Sequence, residues 1–283
     1  MSARISGIWL LSALLGFASA SAFAGSTLDS VLAAQPDAKK ARYGARHPAE
    51  TLAFFGIEPG MNVIEAFPGR GWYSAILLPL LGSDGHLTGV DYAFDMYPKF
   101  NFYSDAQIEE KKTWTTTWPA EAQSWRGKNG AEVSAFVFGS MPASLNGQVD
   151  AVLFIRALHN LARFEHDGGY LTTALAETRR ALKPGGIIGV VQHVAAEDAD
   201  DAWANGSNGY LKKSFVIEQL TAAGFEFVGA SDVNLNPADQ PTVDDFVWRL
   251  PPTLATSGDN PELAERYRAI GESTRMTLLF RKP

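Results

Sequence analysis

The sequence predicts an α/β domain built on a doubly wound, mainly parallel sheet, and three observations carry that prediction. Short apolar runs alternate with helix-patterned segments along most of the chain. VDAVLFI (149–155) and IIGVVQHV (187–194) are hydrophobic almost without alternation, as strands covered on both faces must be. A strand, a glycine-containing turn and the start of a helix follow one another in VIEAFPGRGWYS (63–74).

Taken in order, PAETLAFFGI (48–57) has helical spacing at Leu52, Phe55 and Ile57, and Pro59-Gly60 turns the chain into a strand over 61–66. Residues 72–81 read as a helix, with Pro79 kinking or ending it. The second strand ends at Asp91, and an aromatic-rich stretch, 92–132, reads as part helix and part surface loop or lid. VSAFVFG (133–139) and VDAVLFI are the third and fourth strands. GGYLTTALAETRRAL is an amphipathic helix, and LKPGG is a turn before the fifth strand at 187–194. A helix ending at Gly224, the strand EFVGAS, a long non-helical connection and the strand MTLLFRK (276–282) complete the chain, the last two strands fitting an antiparallel edge pair. No internal repeat and no interdomain linker interrupts residues 25–283, which read as one domain.

The first 24 residues have a different character. Arg4, the apolar run ISGIWLLSALLGF (5–17) and Ala22-Phe23-Ala24 form the pattern of a secretory signal peptide, too short in its apolar part to serve as a span. Periplasmic or secreted localisation follows, with no stable membrane anchor after cleavage. The chain has no cysteine, which excludes disulfides, thiolate nucleophiles and thiolate metal sites. A formal charge of −7 excludes nucleic acid or an anionic membrane surface as the main partner and leaves a small molecule.

In an open parallel sheet, ligands bind beyond the carboxyl ends of the strands. That rule selects Glu65 and the loop Phe67-Pro68-Gly69-Arg70-Gly71, then Asp91, Ser140, Arg156, His159, Asn160, Gln192 and His193. Each has a plainer reading. Glycines between strand and helix serve tight turns, Asp91 can cap the next segment, and a lone histidine is commonly a hydrogen-bonded core residue. Two histidines at strand ends nevertheless suit proton transfer.

LKPGG followed by IIGVV resembles the junction before the fifth strand of class I S-adenosylmethionine-dependent methyltransferases. VIEAFPGRG is similar to their first motif, GVD to their ribose-binding acidic end, and VDAVLFIRALHNL to their fourth-strand region. TAAGFEFV and TLLFRKP are similar to their closing elements. More closely, EAFPGRGWY, RALHN, LKPGG and VVQH resemble an exported, methyltransferase-like group whose members carry signal peptides. The resemblance implies a Rossmann-like, seven-stranded sheet with an antiparallel edge strand and a cofactor, S-adenosyl-L-methionine. It implies a cofactor site of Glu65, Phe67, Gly69, Gly71, Asp91, Ser140 and Arg156, with His159 and His193 as acid–base residues. Trp72, Tyr73, Asn160 and the aromatic segment would then line the acceptor pocket. Two positions depart from the pattern: Phe67 replaces the first motif glycine, and Ser140 an acidic residue near the adenine.

Because the cofactor is made in the cytoplasm, the export signal conflicts with methyl transfer. The alternative is an exported, non-catalytic ligand-binding protein that reuses the fold. A metal site from His159, His193, Glu197 and Asp198 lacks any compact ligand spacing.

Overall fold

The computed structural model describes residues 27–283; the signal-peptide reading of residues 1–24 lies outside them. Apart from short helical turns, the elements are α1 (Pro48–Phe55), β1 (Asn62–Ala66), α2 (Ser74–Leu81), β2 (His86–Asp91), α3 (Asp105–Lys111), α4 (Trp114–Arg126), β3 (Glu132–Val137) and β4 (Val149–Ile155). There follow α5 (Leu158–Arg163), α6 (Tyr170–Ala181), β5 (Leu182–Ala195), β6 (Leu211–Lys212), α7 (Lys213–Ala222), β7 (Glu226–Ser231), α8 (Pro261–Ile270) and β8 (Arg275–Arg281).

The strands form one sheet in the order β3-β2-β1-β4-β5-β8-β7, with the two-residue β6 paired to the end of β5. β1 to β5 are parallel, and β8 is antiparallel to both β5 and β7. The winding reverses between β1 and β4, so a crevice opens at their carboxyl ends.

Strand alternation divides the core into two layers. Val63, Ala151 and Leu153 pack with Leu52 and Phe55 of α1, Ile76, Leu77 and Leu80 of α2, and Trp118 of α4. Ile64, Ala66, Val152 and Phe154 point the other way, against Leu158 of α5, Leu175 of α6 and Leu220 of α7. Gly89 in β2 permits the first layer to close. A Cβ there would stand 2.5 Å from the Trp118 ring, so only glycine admits that indole against the sheet. Despite Pro79, α2 continues to Leu81, and Gly82 ends it.

The structure corrects the sequence-based reading in two places. LKPGG is not a free turn: β5 begins at Leu182, opposite Val149, and the Gly185 N–H donates to the Lys282 carbonyl at 2.8 Å. The Pro-Gly-Gly step is absorbed as an irregularity of the ladder between Val149 and Ala151. The last two strands do form the expected antiparallel edge pair, with β8 between β5 and β7 and β7 outermost. The connection before β8 contains a helix, α8, capped by Asn260 (Oδ1 accepts from the Leu263 N–H at 3.0 Å) with Pro261 at its first position. Within 92–132, a 3-10 segment (Phe94–Phe100) leads to α3, which starts with a Ser104–Gln107 capping box. Among the described residues, no helix is long and apolar enough to cross a membrane.

Candidate active site

A cleft of about 1020 Å³ opens at the carboxyl ends of β1, β2, β4 and β5. Of the sequence-selected residues, Phe67, Gly69, Arg70, Asp91, Arg156, His159, Asn160 and His193 line it together. Glu65, Gly71, Trp72, Tyr73 and Ser140 are not among its lining residues.

The β1–α2 loop has positive φ at Phe67 (53°), Gly69 (56°) and Gly71 (66°). Phe67 therefore adopts the backbone shape that a glycine would take freely, at a cost of about 1–2 kcal/mol. Its N–H donates to the Val90 carbonyl at 2.7 Å. The ring stacks on Tyr92 (centroids 3.9 Å apart, planes at 25°) and meets Phe138 edge-on at 5.7 Å. Those aromatic contacts offset the strain. Gly71 is turned towards the protein: a Cβ there would lie 2.2 Å from the Trp125 ring.

Glu65 sits under the loop, 3% exposed, with Oε2 accepting from the Ser74 hydroxyl at 2.6 Å. Burial lifts its carboxyl to about 7, against the opposing effects of the Ser74 bond and the Lys39 charge. Lys39, from the segment preceding α1, donates to the carbonyls of Gly71 (3.1 Å) and Trp72 (3.0 Å) and so clamps the loop from outside the cleft. Trp72 lies beside Lys39, its ring 4.5 Å from the Arg46 guanidinium, and Tyr73 is buried with its hydroxyl on the Arg46 carbonyl at 3.4 Å. Ser140 is exposed and donates to the Val137 carbonyl at 2.8 Å; Glu177 holds its loop through the N–H groups of Gly139 and Met141.

At the end of β2, Asp91 is buried. Oδ1 accepts from the Tyr92 N–H at 2.9 Å, and Oδ2 pairs with Lys111 at 3.1 Å. Asn160 donates to the Tyr92 hydroxyl at 2.7 Å, joining α5 to the β2 end.

The histidines are set by Gln192, which is fully buried in β5. Its Nε2 donates to the Gly209 carbonyl at 2.8 Å, which fixes the amide so that Oε1 faces His159. The His159 Nδ1, 3.3 Å from that oxygen, is then the protonated nitrogen, and Nε2 carries the free lone pair. His193 Nδ1 is 2.6 Å from the Ser273 hydroxyl, and the two imidazoles lie 5.6 Å apart. Burial holds His159 down to about 4, with Arg156 and Arg163 adding to the effect. His193 is held well below the usual imidazole range, first by burial, then by His159 and Arg156. Both rings are therefore neutral at neutral pH, and the same burial weakens their hold on an added proton. Contrary to a strand-end placement, His159 belongs to the first turn of α5.

Sequence reasoning did not find Lys111, Arg163, Phe246 or Trp248, all of which line the cleft. Tyr92, Phe100, Phe102, Tyr103 and Trp114 were signalled only as an aromatic cluster. Trp248 meets His159 edge-on at 5.8 Å, yet comes from the irregular connection before α8, where no periodic pattern marks it. Among the described residues, no group of three or more His, Asp or Glu side chains is placed to hold a metal ion. Glu197 is engaged by Ser214.

No family model matches this sequence, and no curated protein sequence matches it. Solved structures resemble its fold. The [4+2]-cyclase SpnF matches with 21% identity over 84% of this chain and 80% of its own, at a TM-score of 0.50. A geranyl diphosphate methyltransferase in complex with S-adenosylmethionine matches with 15% identity over 84% and 85% of the two chains, at 0.49. A methyltransferase from Aquifex aeolicus that depends on the same cofactor matches with 18% identity over 74% and 93%, at 0.47. The chain has the class I methyltransferase fold. Since the first of these three structures is named for a cyclisation, the fold leaves the reaction open.

Proposed function

We propose that the chain is an S-adenosylmethionine-dependent methyltransferase acting on a small-molecule acceptor. The observation that carries this reading is that Gly69 of the β1–α2 loop, Asp91 at the end of β2 and His159 in the first turn of α5 meet in one cleft at the switch point of the sheet. The donor set fits the cofactor. Asp91 uses one interaction on each oxygen, and a carboxylate has roughly four acceptor positions, so it retains capacity for ribose hydroxyls. Gly69 has no atom nearer than 3.9 Å to where a Cβ would stand, which leaves room for close backbone approach. When bound, the cofactor supplies an electrophilic methyl group. The chain's part is to orient the acceptor, exclude water with the aromatic walls and take a proton on the His159 Nε2.

The same proposal includes export of the chain by way of residues 1–24. A second reading, a non-catalytic binding protein, is favoured by the Phe67–Tyr92 stack and the Lys111–Asp91 pair, which together fill the cofactor rim. Calorimetric titration with S-adenosylhomocysteine separates the two. Saturable binding weakened by Asp91→Asn supports the methyltransferase; no heat at millimolar ligand supports the binding protein.

A further inference from the structure

The charge lining the cleft runs against that of the whole chain. The protein carries a formal −7, yet the cleft is lined by Arg70, Lys111, Arg156 and Arg163 with Asp91 as the one acid among its lining residues. Lys111 is matched by Asp91. The guanidinium groups of Arg70, Arg156 and Arg163 have no carboxylate partner among the described residues. Arg163 packs on the Phe164 ring, 4.7 Å from its centroid, and Arg70 is exposed. Arg156 differs from both in its surroundings: it is half-buried directly after β4, among other guanidinium groups.

Arg156 follows β4 directly, with φ at +59°, a shape that costs a non-glycine residue about 1–2 kcal/mol. Its N–H is tied to the Val191 carbonyl at 2.6 Å. The carboxylate whose field reaches it, Glu272, is already committed: it accepts from Arg42 at 2.8 and 2.5 Å, from Arg46 at 3.3 Å and from Arg275 at 3.4 Å. Four guanidinium groups thus share the field of one carboxylate. Burial and then the neighbouring Arg275 hold Arg156 down to about 10, the mark of a cation short of counter-charge. A half-buried cation without a carboxylate partner is stabilised when an anion arrives. Around it stand flat apolar walls: Trp248 beside His159, Phe246 at 6.0 Å from Trp248, and Phe102, 68% exposed at the mouth.

We propose that the acceptor is a flat, largely apolar molecule bearing a carboxylate or phosphate, and that Arg156 anchors that anionic group while His159 faces the body of the molecule. The word acceptor rests on the methyltransferase reading; the anion site does not. β2 and β4 are two strand spacings apart, about 10 Å, so an anion on Arg156 and a ribose on Asp91 occupy different ends of the cleft.

The test is a set of titrations of the folded chain, followed by Arg Nε–H NMR signals and by calorimetry, with benzoate, phenyl phosphate and the neutral isostere benzamide. Benzoate or phenyl phosphate should bind at least about tenfold more tightly than benzamide, the effect of one charge-assisted hydrogen-bonded contact. The better of the two identifies the anionic group. Arg156→Gln should abolish that preference, and Arg156→Lys should retain part of it. S-adenosylhomocysteine affinity should change in Arg156→Gln by less than about threefold. The proposal is overturned if the wild type does not prefer the anions to benzamide, a result that needs no variant. It is overturned equally if Arg156→Gln weakens S-adenosylhomocysteine as much as the anion, since the cation then belongs to the cofactor. Anion preference in a wild type that never binds S-adenosylhomocysteine supports the anion site and removes methyl transfer instead.

Discussion

The two ends of the cleft are built on different principles. At the β1–β2 end, the polar groups are partnered within the protein: Asp91 holds Tyr92 and Lys111, Glu65 holds Ser74, and the strained Phe67 is stacked on Tyr92. At the β4–β5 end, charge is left over, with Arg156 unpaired and two imidazoles kept neutral beside it. The first end is ordered by its own sequence neighbourhood and needs a ligand least. The second is held by long-range contacts and is incomplete without one. A ligand that binds across both ends would exchange little at the first and relieve an electrostatic excess at the second.

Substitutions at each end test that contrast, and the largest effect belongs to the histidines. His159→Ala should lower the methyl-transfer rate on any acceptor that turns over by roughly 100-fold or more, with the fold intact by circular dichroism. An unchanged rate would remove His159 from proton transfer. Asp91→Asn should weaken S-adenosylhomocysteine by about tenfold, because a charged acceptor becomes a neutral amide. Gly71→Ala should reduce stability by about 2–4 kcal/mol in denaturant titration, through the positive φ and the collision with Trp125. Lys111→Ala should change cofactor-product affinity by less than about fivefold, since a partly exposed ion pair contributes little.

Protonation sharpens the comparison further. Glu65 has its folded pKa raised from 4.5 to about 7, so the native state holds a proton that the unfolded chain has released. Stability from this group therefore falls as pH rises from 4.5 to 7. His159, lowered from 6.5 to about 4, acts in the opposite sense: its contribution is present above 6.5 and is lost as pH falls towards 4. Glu65→Gln should thus gain stability relative to wild type as pH rises through 4.5–7. A wild type and variant that track each other across that window would contradict the buried, proton-holding carboxyl.

The β1–β2 end was legible in the sequence because its determinants are local. VIEAFPGRG and the strand ending at Asp91 bring Glu65, Phe67, Gly69 and Asp91 together by strand, turn and register alone. The β4–β5 end was half legible. RALHN and VVQH gave Arg156, His159, Asn160 and His193, but not the surroundings that give them their properties. The Arg42–Glu272 contact spans 230 residues, and no periodicity encodes such a pairing. Phe246 and Trp248 lie in a connection whose order comes from tertiary bonds, among them Trp203 Nε1 donating to the Asp245 carbonyl at 3.1 Å and Arg249 pairing with Asp239 at 2.8 Å. The helix α8 is encoded in NPELAERYRAIG, with its Asn cap, Pro at the first turn and closing glycine, but the Pro- and Asp-rich residues before it have the composition of a continuous loop.

Calorimetric titration of the chain lacking residues 1–24 with S-adenosylhomocysteine tests the central claim most directly. Saturable binding, weakened about tenfold by Asp91→Asn, is the expected result. An absence of binding at millimolar ligand, in a folded protein, would contradict it.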